Sequence, residues 1–324
     1  MSDETIRKVF EKVDNLIGEK SVDVIIGGPP CQAYSLVGRA VKEDNMDGDE
    51  RNYLYKQYCK FLKRYQPKMF VFENVPGLLT AKNGKHFANL KKYLAHVGYK
   101  LDYRELNAKN FGVLQNRRRI IIIGWKAEYD GEYFYPQFED VPHNFVVNDL
   151  LEDLPSIQAG EEGKEYAAKP SRYLTEFGIR NKSDVLTYHI ARPHIARDKE
   201  IYNKVIDAWN DEHKRLKYVD LPTELKTHKN VTSFLDRFKI VEWDMPACHT
   251  MMAHISKDGH YFIHPDKNQN RSITVREAAR IQSFPDNYYF EGSRTAAFTQ
   301  IGNAVPPLMA KAIAEKIREQ IENQ

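Results

Sequence analysis

The residues of this chain best placed for chemistry are a cysteine and a glutamate, and each directly follows a short apolar segment. Cys31 ends the run Gly27-Gly28-Pro29-Pro30-Cys31, which follows the predicted strand 22–26, and Glu73 ends the predicted strand 69–73. Open α/β sheets build their sites at the carboxyl ends of strands, where a rigidly held thiol can attack an electrophile. A buried cysteine beside a turn and a solvated glutamate at a strand end are the structural alternatives.

The elements that must position these residues alternate between helix and strand over the first 128 residues. Helical spacing predicts helices, and short apolar runs predict strands. The predicted helices are 4–17, 53–65 and 86–97, and the predicted strands are 22–26, 69–73, 99–107 and 119–125. This alternation predicts an α/β fold with a doubly wound, mainly parallel sheet.

The pattern changes near residue 129. Residues 129–268 mix aromatic and charged residues without a strong period, which predicts a smaller, irregular domain. Thr274 and Glu277 form a capping box that opens a predicted helix over 275–283. A final helix is predicted over 308–322, so residues 269–324 are expected to return to the domain formed by residues 1–128.

Composition excludes several classes of protein. Lys and Arg number 48 against 45 Asp and Glu, so the net charge of +3 does not by itself indicate nucleic-acid binding. Three widely spaced cysteines form no disulfide framework and favour a reducing compartment. The sequence shows neither a membrane-spanning apolar run nor a signal peptide, and a cytoplasmic protein is therefore expected.

Five segments resemble, in the same order, the motifs of the DNA cytosine-5 methyltransferases. They lie within residues 22–307: Gly27 to Ser35, Phe72 to Pro76, Gln115 to Arg119, Arg271 to Gln282, and Gln300 to Pro307. The resemblance implies an incomplete Rossmann-like methyltransferase domain and a target-recognition domain over 129–268. It also implies methyl transfer from S-adenosyl-L-methionine to cytosine in double-stranded DNA, in restriction–modification or phage self-protection.

The resemblance also implies catalytic roles. Cys31 would add to carbon 6 of a flipped cytosine, and Glu73 would act as the acid at ring nitrogen 3. Arg117 and Arg119 would hold the ring oxygen of the base and steady Glu73, although a solvated charge run is the alternative for an arginine triplet.

Binding roles follow from the same resemblance. Cofactor contacts would come from Pro30, Leu54, Asn303, Ala304 and Val305, and DNA contacts from Gln32, Ser35, Arg51, Arg192 and Arg197. The polar stretch 36–50 suits a loop that closes over the flipped base, or an ordinary surface loop. The cluster from Tyr188 to Arg197 fits a DNA contact as well as it fits the polar face of a helix.

The chain departs from the family in one respect. No Phe-x-Gly-x-Gly cofactor loop, and no acidic residue for the cofactor ribose after a second strand, precedes Gly27. We therefore expect a split subunit or truncated form, with a second polypeptide that carries the cofactor loop. Without the strand that precedes this loop, the strand 22–26 should have an exposed edge that favours aggregation.

Two other functions and one metal site compete with this interpretation. A non-catalytic protein could keep the base-flipping scaffold, and a tRNA cytosine-5 methyltransferase has a similar design. The length of segment 129–268 favours DNA as the substrate, because a domain that recognises a specific DNA sequence needs that size. The spacings of Cys248, His249, His254, His260 and His264 match no usual zinc ligand set, so no metal is expected.

Overall fold

The computed structural model describes residues 3–29, 54–227 and 235–323. These residues form two compact units. Unit 1 comprises residues 1–106, 118–138 and 313–324, and unit 2 comprises residues 107–117 and 139–312. Among the described residues, no helix is long and apolar enough to cross a membrane.

The elements of the first 138 residues follow the predicted alternation. The helices are α1 (Asp3–Ile17), α2 (Leu54–Tyr65), α3 (Gly77–Thr80) and α4 (Lys85–His96), with 3-10 turns at Ala108–Phe111 and Ala127–Tyr129. The strands are β1 (Val24–Gly27), β2 (Met69–Asn74), β3 (Tyr99–Asn107) and β4 (Arg118–Lys126). The four predicted strands are confirmed to within two residues at each end.

The four strands form one sheet in the order β1-β2-β4-β3. β1 and β2 are parallel, but β2 and β4 are antiparallel, so the prediction of a mainly parallel sheet is wrong and the sheet is mixed. β3 and β4 are adjacent in the sheet, and only residues 108–117 connect them. That connection is shorter than the dozen or more residues of a parallel crossover.

β1 lies at one edge of this sheet. Within the described parts of the chain it pairs with β2 alone, and Ile26 is 77% exposed. This exposure agrees with the edge expected for strand 22–26, whereas aggregation through it stays a prediction. β2 and β4 are buried, and their apolar side chains, including Phe70, Phe72 and Ile122, pack against helices α2 and α4.

Unit 2 contains fewer regular elements. Its helices are α5 (Arg172–Glu176), α6 (Ala196–Glu212), α7 (Val275–Ile281) and α8 (Arg294–Asn303). Short 3-10 turns occur at Val147–Leu150, Tyr218–Asp220, Thr223–Leu225 and Ala253–Ser256. The last helix, α9 (Pro307–Glu322), spans the boundary at residue 312. Residues 269–312 therefore group with 139–268 as a compact unit, and the functional boundaries at 129 and 268 stay predictions.

α7 begins with the predicted capping box. The Thr274 hydroxyl accepts from the Glu277 backbone N–H, and the Glu277 carboxylate accepts from the Thr274 backbone N–H at 2.7 Å. Every residue of this helix is buried. The helix is thus a core element of unit 2, and its arginines cannot be a solvated charge run.

The arginines of α7 belong to a buried ionic network. Arg280 donates to Asp153 and Asp286, and Arg276 donates to Asp286 at 3.2 Å. Arg180 reaches the same Asp153. Burial alone would lower the pKa of Arg280, but hydrogen bonds to Asp286 and Asp153 raise it above its ordinary value. Each charge in the network has a partner, as burial requires.

Removal of one carboxylate charge from this network should destabilise unit 2 strongly. In Asp286→Asn, Arg276 and Arg280 remain buried beside a neutral amide, and we expect a loss of about 3–5 kcal/mol in the free energy of unfolding. Asp207→Asn is the control, because its ion pair with Lys267 is about half exposed and should contribute less than about 1 kcal/mol. Denaturant unfolding measures both, and equal losses would contradict the prediction.

Candidate active site

The carboxyl ends of β1 and β2 bring Glu73 next to the glycine pair. Gly27 is in register with Phe72 in the parallel strand pair. A Cβ atom on Gly28 would lie 2.9 Å from Glu73 Oε2. A side chain at position 28 would therefore push the Glu73 carboxylate out of its observed place. The chain therefore leaves β1 directly alongside Glu73.

Tyr58 contacts both β1 and β2 from one face of the sheet. Its hydroxyl donates to the backbone carbonyl of Ile25 in β1 and to that of Val71 in β2, at 3.0 and 3.1 Å. Its ring lies where a side chain on Gly27 would have to go, 2.6 Å from the position of that Cβ. The two strand ends are thus held together from one side by a single buried tyrosine.

Arg119 pairs with Glu73 from the neighbouring strand. Arg119 Nε lies 2.7 Å from Glu73 Oε1, and the two side chains are only 13% and 18% exposed. Glu73 is opposite Ile121 in the antiparallel register, and Arg119 is two residues away on the same face of β4. One carboxylate oxygen therefore faces a guanidinium while the other faces Gly28. The contact implied for Arg119 is present, and its role toward substrate stays a prediction.

Asn74 orders the segment that follows. Its buried side chain accepts from the Val75 backbone N–H at 2.9 Å and donates to the Pro29 carbonyl at 3.4 Å. Residues 30–53 lie outside the described residues, and with them the predicted site residues Pro30, Cys31, Gln32, Ser35 and Arg51 and the predicted loop 36–50. Pro29, the last described residue before Cys31, is thus tied to the end of β2.

Arg117 has different partners from Arg119. It is 1% exposed, and its guanidinium donates to the backbone carbonyls of Met251 at 2.6 Å and Gly302 at 3.1 Å. These bonds engage two guanidinium nitrogens with backbone of unit 2, and the contact with the base that the resemblance implies stays a prediction. Arg117 joins the end of α8 to the segment at 251.

The predicted cofactor residues lie at two places. Leu54 is the half-buried first residue of α2. Asn303 is the exposed last residue of α8, and Ala304 and Val305 follow it half-buried. An exposed amide beside half-buried apolar side chains fits a ligand with polar and apolar parts, such as S-adenosyl-L-methionine. Residues 303–305 can therefore hold part of that cofactor.

The basic cluster before α6 is mostly a core feature. Residues 188–194 lie outside any helix, so the alternative of a polar helix face is wrong for them. Arg192 is only 9% exposed, stacks on Phe298 and donates to the Ile255 carbonyl at 2.6 Å. Arg192 therefore has a structural role in unit 2, and its contact with DNA stays a prediction. Arg197, at the start of α6 and 44% exposed, stays a candidate.

Three of the four histidines considered for zinc have other side-chain partners. His249 lies 2.8 Å from Glu242, His260 lies 2.8 Å from the Tyr202 hydroxyl, and His264 lies 3.5 Å from Glu277. Cys248 is buried in the apolar core of unit 2. Within residues 3–29, 54–227 and 235–323, no three His, Cys, Asp or Glu side chains group as metal ligands.

Sequence reasoning did not assign a role to three further residues, one in unit 1 and two in unit 2. Tyr58 supports the strand ends, and Gln115 and Gln282, both fully buried, hydrogen-bond to each other at 2.6 Å. The two glutamines lie inside motifs quoted above, but residue type alone does not show that an amide is buried. The position of Gln282, at the end of the helix that Thr274 caps, is the sequence feature that could have indicated its role.

The described residues form a mixed α/β fold in which a glutamate–arginine pair lies at the end of a strand. A crystal structure assigned as a DNA modification methyltransferase from an E. coli prophage shares the fold, with a TM-score of 0.63 and 24% identity. It covers 99% of this chain and 84% of that one. The model of the C-5 cytosine-specific DNA methylase family matches residues 2–319. The chain belongs to this family.

Curated relatives agree with that assignment. The type II methyltransferase M.Bpa9945I of Bacillus paralicheniformis is 45% identical over 320 residues, which cover 93% of this chain and 71% of the relative. The type II methyltransferase M1.HphI of Haemophilus parahaemolyticus is 34% identical, over 96% of this chain and 73% of the relative. These relatives give no support to the expected second polypeptide.

The free energy of unfolding should fall as the pH drops from about 6.5 to about 4. The first number is the ordinary pKa of histidine, and the second is the folded-state pKa of two buried histidines. Burial lowers the pKa of His194 to about 4, with the charges of His260 and Arg192 adding to the effect. Burial and the charge of Arg271 lower the pKa of His264 to about 4 as well. In this window the unfolded chain binds more protons than the folded one, so acid favours unfolding.

The expected slope is at most about 1.4 kcal/mol per pH unit for each histidine. Denaturant unfolding at several pH values between 7 and 5.5 measures it, above the range where the carboxylates of the unfolded chain take up protons. His194→Asn should reduce the slope. A flat profile would show that these histidines do not govern acid stability.

Proposed function

We propose that this chain transfers a methyl group from S-adenosyl-L-methionine to carbon 5 of a flipped cytosine in double-stranded DNA, through a covalent adduct at Cys31. The observation that carries the proposal is the position of Glu73. Its carboxylate lies between the Arg119 guanidinium and the glycine backbone that leads into Cys31. Membership of the cytosine-specific methylase family supports the same reaction.

The chemistry explains why both residues are needed. Carbon 5 of cytosine is a weak nucleophile, and addition of the Cys31 thiolate to carbon 6 turns the ring into an enamine. Negative charge then moves onto the ring, and a proton from Glu73 at ring nitrogen 3 absorbs it. The bound cofactor supplies the methyl group that carbon 5 accepts. Loss of the carbon 5 proton to solvent then expels the thiolate. The proton on ring nitrogen 3 returns to Glu73, which restores the neutral aromatic ring.

Arg119 has a positioning role in this scheme. Its ion pair fixes one oxygen of Glu73 at 2.7 Å, and the other oxygen lies on the side of Gly28. Access to the base requires that the cytosine leave the DNA helix, at a cost of roughly a few kcal/mol. Arg197 and residues 30–53, which include Gln32, Ser35 and Arg51, are proposed to contact the DNA.

The relatives suggest the biological setting. M.Bpa9945I and M1.HphI are named type II methyltransferases, which favours a role in a restriction–modification system. The recognition of a specific DNA sequence is proposed for residues 129–268. Transfer of labelled methyl groups to DNA, with tRNA as the competing substrate, tests the function directly. Labelling of tRNA alone would replace the DNA substrate in this proposal.

Cys31 should become covalently attached to DNA that carries 5-fluorocytosine at the target position. The fluorine cannot leave as a proton does, so the adduct accumulates after methyl transfer. Mass spectrometry of the digested complex should locate the cross-link at Cys31, and Cys31→Ala should abolish it. The buried Cys59 and Cys248 are the controls, since an adduct on either would contradict the mechanism.

Glu73→Gln should keep DNA binding and slow methylation by roughly a hundredfold or more, because the neutral amide cannot donate a carboxylic acid proton to the ring. Glu105→Gln is a matched control, since Glu105 pairs with the adjacent Arg118 at the protein surface. Single-turnover methylation rates measure both. A normal rate for Glu73→Gln would remove Glu73 from the mechanism.

A further inference from the structure

The carboxyl end of α8 is held by side chains instead of by a glycine turn. A helix leaves its last four carbonyl groups without partners inside the helix. Here Gln282 Nε2 donates to the carbonyls of Ile301 at 2.8 Å and Ala304 at 3.0 Å, and Arg117 donates to the carbonyl of Gly302. These carbonyls flank Asn303, so side-chain donors fix the backbone on both sides of it.

Gln115 holds Gln282 in turn. Gln115 Nε2 donates to Gln282 Oε1 at 2.6 Å and to the Ile281 carbonyl at 3.1 Å, while its Oε1 accepts from the Met251 backbone N–H. Both amides are fully buried. Each amide nitrogen faces two acceptors, so a flipped amide would place oxygen against oxygen. The network therefore has a single arrangement.

The backbone of α8 at Gly302 packs closely against the segment 251–253. A Cβ atom on Gly302 would overlap the backbone of Met252 and Ala253. Arg117 bridges the two segments, because it donates to the carbonyls of both Met251 and Gly302. The end of α8 thus packs against the segment at 251–253. Arg117 binds both sides of this contact, and Gln115 links Met251 on one side to Gln282, which binds the end of α8.

We propose that Gln115 and Gln282 are positioning residues that set the backbone of Asn303–Val305 for contact with the cofactor. The inference rests on the proposed function, in which residues 303–305 bind S-adenosyl-L-methionine. Both glutamines are buried. Gln282 contacts the cofactor residues through the backbone carbonyl of Ala304, and Gln115 acts on them through Gln282. Their effect should therefore appear as a loss of cofactor affinity that leaves the chemical step unchanged.

Hydrogen exchange of the protein without cofactor tests the positioning. Gln282→Met keeps the length of the side chain and removes its hydrogen bonds, so amides of residues 300–305 should exchange about tenfold faster. Gln300→Met is the matched control, because Gln300 lies in the same helix but donates to the Glu291 carbonyl at the exposed surface. If Gln282→Met does not fold, Gln115→Met is measured in its place. Its amides at residues 300–305 should exchange about threefold faster than in the wild type.

Kinetics separate positioning from a purely structural role. Positioning predicts that Gln282→Met raises KM for S-adenosyl-L-methionine about tenfold, with kcat per active site and DNA affinity unchanged. A lower kcat at an unchanged KM, or exchange of residues 300–305 at the wild-type rate, would overturn the inference. A wild-type chain that methylates no DNA would instead overturn the proposed function. Hydrogen exchange would still show whether Gln282 fixes the backbone of residues 300–305.

Discussion

The buried ionic network around α7 is the constraint on which unit 2 depends. Arg276, Arg280, Asp153 and Asp286 have no exposed surface, and an unpaired charge there would cost several kcal/mol. The network therefore dictates where residue 153 and the turn at 286 must lie. Arg180 reaches the same Asp153 and adds a fourth segment. Because this unit has little regular secondary structure, such fixed ionic contacts, together with its apolar core, supply much of the order that a sheet would otherwise supply.

The candidate site in unit 1 depends on a different feature, the close approach of the β1 backbone to the side chains of Tyr58 and Glu73. Parallel pairing of β1 and β2 brings two strand ends together, and two glycines let Tyr58 and Glu73 occupy the space that side chains would fill. The antiparallel β4 then supplies Arg119 to the same carboxylate. A mixed sheet thus serves the proposed chemistry well, because strands of opposite direction contribute an acid and its guanidinium partner at one edge.

Buried arginine and glutamine side chains recur as partners of backbone carbonyls in unit 2. Arg117 and Arg271 donate to carbonyls more than 100 positions away in the sequence, and Gln282 donates to the Ile301 carbonyl, 19 positions away. Such bonds are worth little when water can replace them and much when it cannot, since a buried carbonyl left without a donor is costly. They explain how long irregular segments hold defined positions, including the turn at 303–305 proposed to contact the cofactor.

The sequence by itself determined the positions of the four strands, the capping box at Thr274 and the family, because these depend on local patterns of apolar residues, caps and motif order. It also placed Glu73 at a strand end and predicted that Arg119 steadies it. Only the tertiary structure decided the direction of β4, the backbone role of Arg117 and the burial of Arg192. These depend on which distant groups compete for a side chain, and an arginine has the same letter whether it meets solvent, a carboxylate or a carbonyl. Gln115 and Gln282 show the same limit, because their roles arise from contacts between residues more than 160 positions apart.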